Sequence, residues 1–127
     1  MSWNVNAAIE YLDSHGGRAT QSTGYCATAT VAAIQAGGVH MGTTMYAKDF
    51  GPCLLAAGFT EVETTDFKRG DIAVIQAVPK HPAGHMCMFD GEQWISDFAQ
   101  GHGSGVDGMY PGSAYRIAKP SYKIYRM

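Results

Sequence analysis

The sequence predicts an α+β protein, with helices in its first half and an antiparallel sheet in its second. Two observations carry this. Up to Gly58 the apolar residues recur at helical spacing; from Gly70 onward they fall into short β-forming runs punctuated by glycine, proline and Asp-Gly. Helices followed by strands, rather than alternating with them, indicate segregated layers.

The elements follow in order. "SWNVNAAIEYLDSHGG" sets Trp3, Ala7, Ala8, Tyr11 and Leu12 at helical spacing, and Gly16 and Gly17 stop the pattern. A second helix is expected from about Cys26 to Ala36, because Ala27, Val31 and Ile34 share a face and Gly37-Gly38 end it. "GPCLLAAG" reads as a short third helix with Pro52 in its first turn and Gly58 at its end. "RGDIAVIQAV" is a turn and then a strand, with Ile72, Val74 and Ile75 behind Gly70. "GHMCMFDGEQWISDF" reads as a hairpin joined at Asp90-Gly91. "AYRIA" and "YKIYRM" read as two closing strands separated by Pro120. Before them, "AQGHGSGVDGMYPGS" is a long glycine-rich loop of the kind that carries function.

A chain of 127 residues is expected to form one domain over 1–127, with a proper core. Hydrophobic content of 46% against 16% charge suits a packed protein rather than a disordered one. A net charge of −2 without any block of Lys or Arg argues against nucleic acid as a partner. No apolar stretch approaches the roughly 18 residues of a membrane span. The first residues lack the basic start and continuous apolar run of a signal peptide. Cys26, Cys53 and Cys87 are odd in number and widely spaced, so they form neither a disulfide framework nor a C-x-x-C zinc pair. Whether two of them, such as Cys53 and Cys87, bridge is open at this level.

Cys26 stands where the second helix begins. Unpaired N–H groups and the helix dipole there favour negative charge, which is expected to lower the thiol pKa and to supply donors for an oxyanion. Gly24 allows close backbone approach, and Ser22 or Thr23 could cap the helix. Tyr25 either lines a cleft and polarises a carbonyl or simply packs. The bland reading of Cys26 is a small buried hydrophobe. His85 changes the balance, because a thiol nucleophile needs a general base and imidazole has the pKa for it. His85 opens the strand "HMCMF", where His85, Cys87 and Phe89 share one face and Met86 and Met88 the other.

A third residue should orient the imidazole, and Asp97 in "WISDF" is the candidate. A two-residue Asp90-Gly91 loop pairs His85 with Ser96; a three-residue loop through Glu92 pairs His85 with Asp97. The expectation taken forward is His85 opposite Asp97. Among the remaining histidines, His81 and His85 stand four apart, but Pro82 and Gly84 oppose a helix that would align them as metal ligands. His15 suits a helix C-terminus, and His40 and His102 suit loops. "RGD" at 69–71 reads as a turn, and Asp90 as a turn residue.

A cysteine at a helix start, then "KRGDIAVI", then "GHMCMFDGEQWISDF", resembles the papain-like amidases of the NlpC and CHAP groups. The likeness runs from residue 22 to about 98. It departs in offering Asp97 where CHAP sequences often carry Asn or Glu, and "GYCAT" where many NlpC-type enzymes carry "DCSG". The resemblance implies a papain-like fold, with N-terminal helices packed on a C-terminal antiparallel sheet. It implies Cys26 as nucleophile, His85 as base and Asp97 as orienting residue, with Gly24 and Tyr25 near the substrate. It implies no cofactor or metal, and a substrate in the peptide part of the bacterial cell wall. A lone compact catalytic domain of this kind looks like the amidase effectors of type VI secretion, or a phage lysin domain. An effector would be made in the bacterial cytoplasm, act in the periplasm or wall of a target cell, and have a cognate immunity protein. The rival readings are a thiol acyltransferase, a non-catalytic wall-binding module, and a small zinc domain around His81, His85 and Cys87.

Overall fold

The computed structural model describes residues 3–15, 26–100 and 103–127. Helix α1 (Val5–His15) opens on Asn4, whose Oδ1 accepts the Ala7 N–H at 3.0 Å and so caps an otherwise unpaired donor. Helix α2 spans Cys26–Ala36, the bounds read from the sequence. It closes through Gly38, at φ 94°, and a Val39 N–H returning to the Ile34 carbonyl at 3.2 Å. Asn4 N–H reaches the Gly37 carbonyl at 2.8 Å, which ties the start of α1 to the end of α2. A 3₁₀ turn at Ala47–Asp49 leads into α3 (Gly51–Ala56), with Pro52 in its first turn as expected.

The sheet has five strands: β1 (Thr60–Val62), β2 (Ile72–Ile75), β3 (His85–Phe89), β4 (Trp94–Ile95) and β5 (Tyr122–Arg126). Their order is β1-β5-β2-β3-β4, and every pair is antiparallel. The α+β class is therefore as the sequence indicated. Alternation along β2 and β3 divides the core. Ile72, Val74, Met86 and Met88 pack with Ile9, Leu12, Val31, Ile34 and Leu54 from the helices. Ala73, Ile75, Cys87 and Phe89 pack on the other side with Trp94, Met109, Tyr110 and Tyr115. Among the described residues, no helix is long and apolar enough to cross a membrane.

Two expectations about the elements need correction. "AYRIA" lies in a helix, α5 (Ser113–Ala118), and not in a strand. Of its side chains only Tyr115 is buried and Ile117 is 83% exposed, so it lacks the buried alternate positions of a strand. Lys119, at φ 49°, closes the helix by returning its N–H to the Tyr115 carbonyl at 2.8 Å. The glycine-rich segment also holds a short helix, α4 (Val106–Met109), whose Met109 is fully buried. Strand β1 escaped the sequence reading because Thr60 and Glu61 are exposed at a sheet edge and give no apolar pattern.

The "RGD" turn has a structural purpose. Buried Asp71 accepts the Lys68 N–H at 2.8 Å and two bonds from Arg126, from Nε at 2.8 Å and Nη2 at 2.7 Å. This fork pins the turn before β2 to the end of β5.

Candidate active site

Cys26 is the first residue of α2 and His85 the first of β3. Both line one cavity of about 490 Å³, whose other walls come from residues 80–84 and 111–115. Two links hold α2 against β3 at this end. The Cys26 thiol takes a hydrogen bond from the Met86 backbone, and the Thr30 hydroxyl donates to the Cys26 carbonyl at 2.9 Å while lying 3.5 Å from the Met86 carbonyl. Gly84, at φ 72°, brings the chain into His85 so closely that a Cβ there would strike the Ile75 carbonyl and Lys48.

The charge states differ from the sequence expectation. Burial pushes the Cys26 thiol up, outweighing hydrogen bonds from the backbone of Met86, Ala27 and Cys26 itself that favour the thiolate. The carboxylate of Asp97 pushes it the same way as burial does. His85 is 4% exposed, and burial lowers its pKa to about 4, against the opposing pull of Gln100 and Asp97. At neutral pH the pair is thus a thiol beside a neutral imidazole, not a preformed thiolate and imidazolium. The helix start does favour the anion, but desolvation is larger.

The imidazole is held by a residue that the sequence reading passed over. His85 Nε2 lies 2.7 Å from Gln100 Oε1. Gln100 Nε2 donates to two carbonyls, Gly108 at 3.0 Å and Met109 at 2.8 Å. An amide with its nitrogen spent on carbonyls can only accept at its oxygen, so His85 Nε2 carries the proton and Nδ1 the lone pair. Gln100 is itself buried. It lies beyond the predicted hairpin, in a glycine-rich stretch without periodicity, so only its amide chemistry near a histidine could have flagged it.

Asp97 arrives by a different route from the one expected. The β3–β4 ladder pairs Phe89 with Trp94 and Met88 with Ile95, across a four-residue turn from Asp90 to Gln93. Asp90 builds that turn by accepting the Glu92 and Gln93 N–H groups, each at 2.7 Å. Asp97 is therefore not the cross-strand partner of His85. The ladder ends at Ile95, and the chain doubles back with Ser96 N–H on the Phe98 carbonyl at 3.0 Å and Gln100 N–H on the Trp94 carbonyl at 3.1 Å. This fold-back buries Asp97 near enough to act electrostatically on both Cys26 and His85, and Asp97 Oδ1 accepts the Ser96 hydroxyl at 3.1 Å.

Gly24 and Tyr25, together with Ser22, Thr23 and His102, lie outside the described residues. His81 is exposed at the cavity, in a turn where its N–H bonds the Val78 carbonyl at 3.0 Å. A zinc site with His85 and Cys87 finds no support in the geometry. Cys87 Sγ is directed to the Met109 carbonyl at 3.6 Å, His85 Nε2 is taken by Gln100, and no group of three or more potential ligands is found among the described residues. All three cysteines are free; Cys53 packs with the helix-side core and Cys87 on the opposite side of the sheet.

No protein-family model matches the sequence, and no curated protein does. Solved structures do, among them two forms of one complex. A chain of the native type VI effector–immunity complex Tae3–Tai3 from Ralstonia pickettii superposes with a TM-score of 0.87 at 47% identity, covering 98% of each chain. The selenomethionine form of the same complex gives 0.84 at 48% identity, covering 94% of this chain and 98% of the other. The chain belongs to the Tae3 family of type VI effectors. The Tae3 likeness takes in the helical layer and the sheet together, since it extends over almost the whole of both chains.

Proposed function

We propose that the chain is a peptidoglycan amidase, a cysteine hydrolase that cuts amide bonds in the stem peptides or cross-links of a target cell's wall. The observation that carries this reading is the opening of the Cys26 thiol and the Gln100-held His85 imidazole into one cavity. The chemistry then runs as in the papain-like NlpC and CHAP amidases, within a single catalytic domain over 1–127.

Because the resting pair is neutral, the proton moves as the nucleophile attacks. His85 Nδ1 takes the Cys26 proton while sulfur adds to the scissile carbonyl. The imidazolium so formed gives that proton to the leaving amine; Nδ1 then deprotonates a water that attacks the thioester, the C–S bond breaks, and the Cys26 sulfur regains the proton from His85. Gln100 takes the orienting role that the sequence suggested for Asp97, holding Nε2–H so that Nδ1 remains basic. Asp97 contributes charge that favours the imidazolium formed during attack and opposes loss of the thiol proton. Gly24 and Tyr25 border the substrate. No metal or cofactor enters this chemistry.

Kinship with a protein solved as an effector–immunity complex supports the biological setting. The chain is an antibacterial effector, made in the cytoplasm of the attacking cell and acting in the wall compartment of its victim. A cognate immunity protein protects the producer. The test is incubation with purified peptidoglycan, followed by fragment masses. New stem-peptide fragments, each carrying one added water and absent with Cys26→Ala, are the expected result. Hydrolysis that survives Cys26→Ala, or none by the parent, would refute the reading.

A further inference from the structure

The cavity has a wall that the mechanism above leaves unused. Residues 111–115 border it from α5 and the loop before it, and among them the hydroxyl-bearing side chains are Ser113 and Tyr115. Ser113 is exposed, whereas Tyr115 is only 4% exposed and still lines the same cavity as Cys26 and His85. Its ring lies 6.2 Å from that of His85 and 5.5 Å from that of His81, both tilted, so it is buried beside the imidazole. Its place is fixed by the short helix that carries it, which is closed by the Lys119 N–H on the Tyr115 carbonyl.

We infer that the Tyr115 hydroxyl is a side-chain donor to the oxyanion formed when Cys26 adds to the scissile carbonyl. This deepens the amidase reading and rests on it. As the S–C bond forms, the carbonyl π pair moves to oxygen and the thiol proton goes to His85. The Tyr115 O–H bond stays intact and only its hydrogen bond strengthens. On collapse that pair reforms the carbonyl, the C–N bond breaks, and the amine leaves with the proton from His85. A donor suits this task if it does not ionise. Burial, and the nearby Cys26 sulfur when it is charged, hold the Tyr115 phenol at about 12, so it remains a neutral O–H while charge develops beside it. A preorganised donor in a site shielded from water is worth about 10²-fold or more in turnover.

Tyr115→Phe removes the hydroxyl and keeps the ring packing. With wall fragments as substrate, kcat should fall about 10²-fold with KM within about two-fold. Alkylation of Cys26 by iodoacetamide needs the thiol and imidazole but no oxyanion, so its rate should not change. Unchanged kcat, or an alkylation rate that falls in step with it, would overturn the inference and leave Tyr115 as packing for His85. A parent that fails to cut wall material would sink the amidase reading separately. The donor is then judged by a small aldehyde, N-acetylglycinal, to whose carbonyl carbon the thiol adds. The thiol proton passes through His85 to the new oxygen, giving a tetrahedral hemithioacetal with that oxygen in the oxyanion's position. Its dissociation constant should rise at least ten-fold in Tyr115→Phe, and equal affinity would overturn the inference.

Discussion

On the helix side of the sheet, Ile9, Leu12, Val31, Ile34 and Leu54 meet Ile72, Val74, Met86 and Met88, all aliphatic or thioether side chains. On the other side, Cys87, Phe89 and Trp94 share their space with Tyr110 and Tyr115, and the buried amide of Gln100 bonds the carbonyls of Gly108 and Met109. Both faces also bury aromatic rings, Phe50, Phe59 and Tyr125 on the first, but the directional polar bonds around Gln100 belong to the second. His85 is buried where β3 leaves the Gly84 turn, and its ring neighbours Tyr115 and Gln100 belong to the polar side. The contrast teaches that both faces hold the fold by burial, while the second also sets the protonation and aim of the imidazole.

The comparison breaks most sharply at its two extremes. Cys26→Ala should lower wall hydrolysis by about 10⁴-fold or more, with the thermal midpoint little changed, since the substitution removes a single sulfur from a half-buried site. Ile34→Ala should do the reverse. Ile34 is fully buried in the helix-side core, so unfolding in urea should show a loss of about 2–5 kcal/mol with kcat per folded molecule retained.

Finer tests stay on the polar side. Gln100→Ala should reduce kcat about 10²-fold by freeing the ring. Because Gln100 supports the charged imidazole, its loss should also move the acid limb of kcat/KM to lower pH, a shift that a merely unstable variant would not produce. Arg126→Ala leaves the Asp71 carboxylate buried and without its fork. Chemical denaturation should register about 1–3 kcal/mol, below the roughly 3–5 kcal/mol of a fully buried pair because the Arg126 side chain is 32% exposed. A pH dependence of stability is also expected from His85. Its folded pKa of about 4 lies below the ordinary 6.5, so the unfolded chain binds a proton that the folded chain does not. Stability from this group should be full above about pH 6.5 and decline as pH falls toward 4, and His85→Gln should flatten that slope.

The helix face was readable from the sequence because burial there follows a period. Val31 and Ile34 lie on one helical face, and Met86 and Met88 alternate on a strand, so α2, β2 and β3 were all expected. The site itself was half readable. Cys26 and His85 announced themselves by residue type at element starts. Asp97 was expected near them, but through a strand register that does not occur, because Asp90 draws a longer turn and the chain folds back after Ile95. Gln100 and Tyr115 stayed hidden. Gln100 depends on a reversal at the edge of a glycine-rich stretch without apolar period, and Tyr115 on a segment that reads as a strand but forms helix α5. The lowered thiol pKa was also misjudged, since the dipole of a helix start is visible in sequence while the burial opposing it is not.

What remains central is an uncharged, oriented imidazole next to a protonated thiol. Nitrogen-resolved magnetic resonance of the His85 ring in the intact chain at pH 7 tests this directly. A neutral ring with its proton on Nε2 and a bare Nδ1, charging only near pH 4, is the expected spectrum. An imidazolium at pH 7, or a proton on Nδ1, would contradict it.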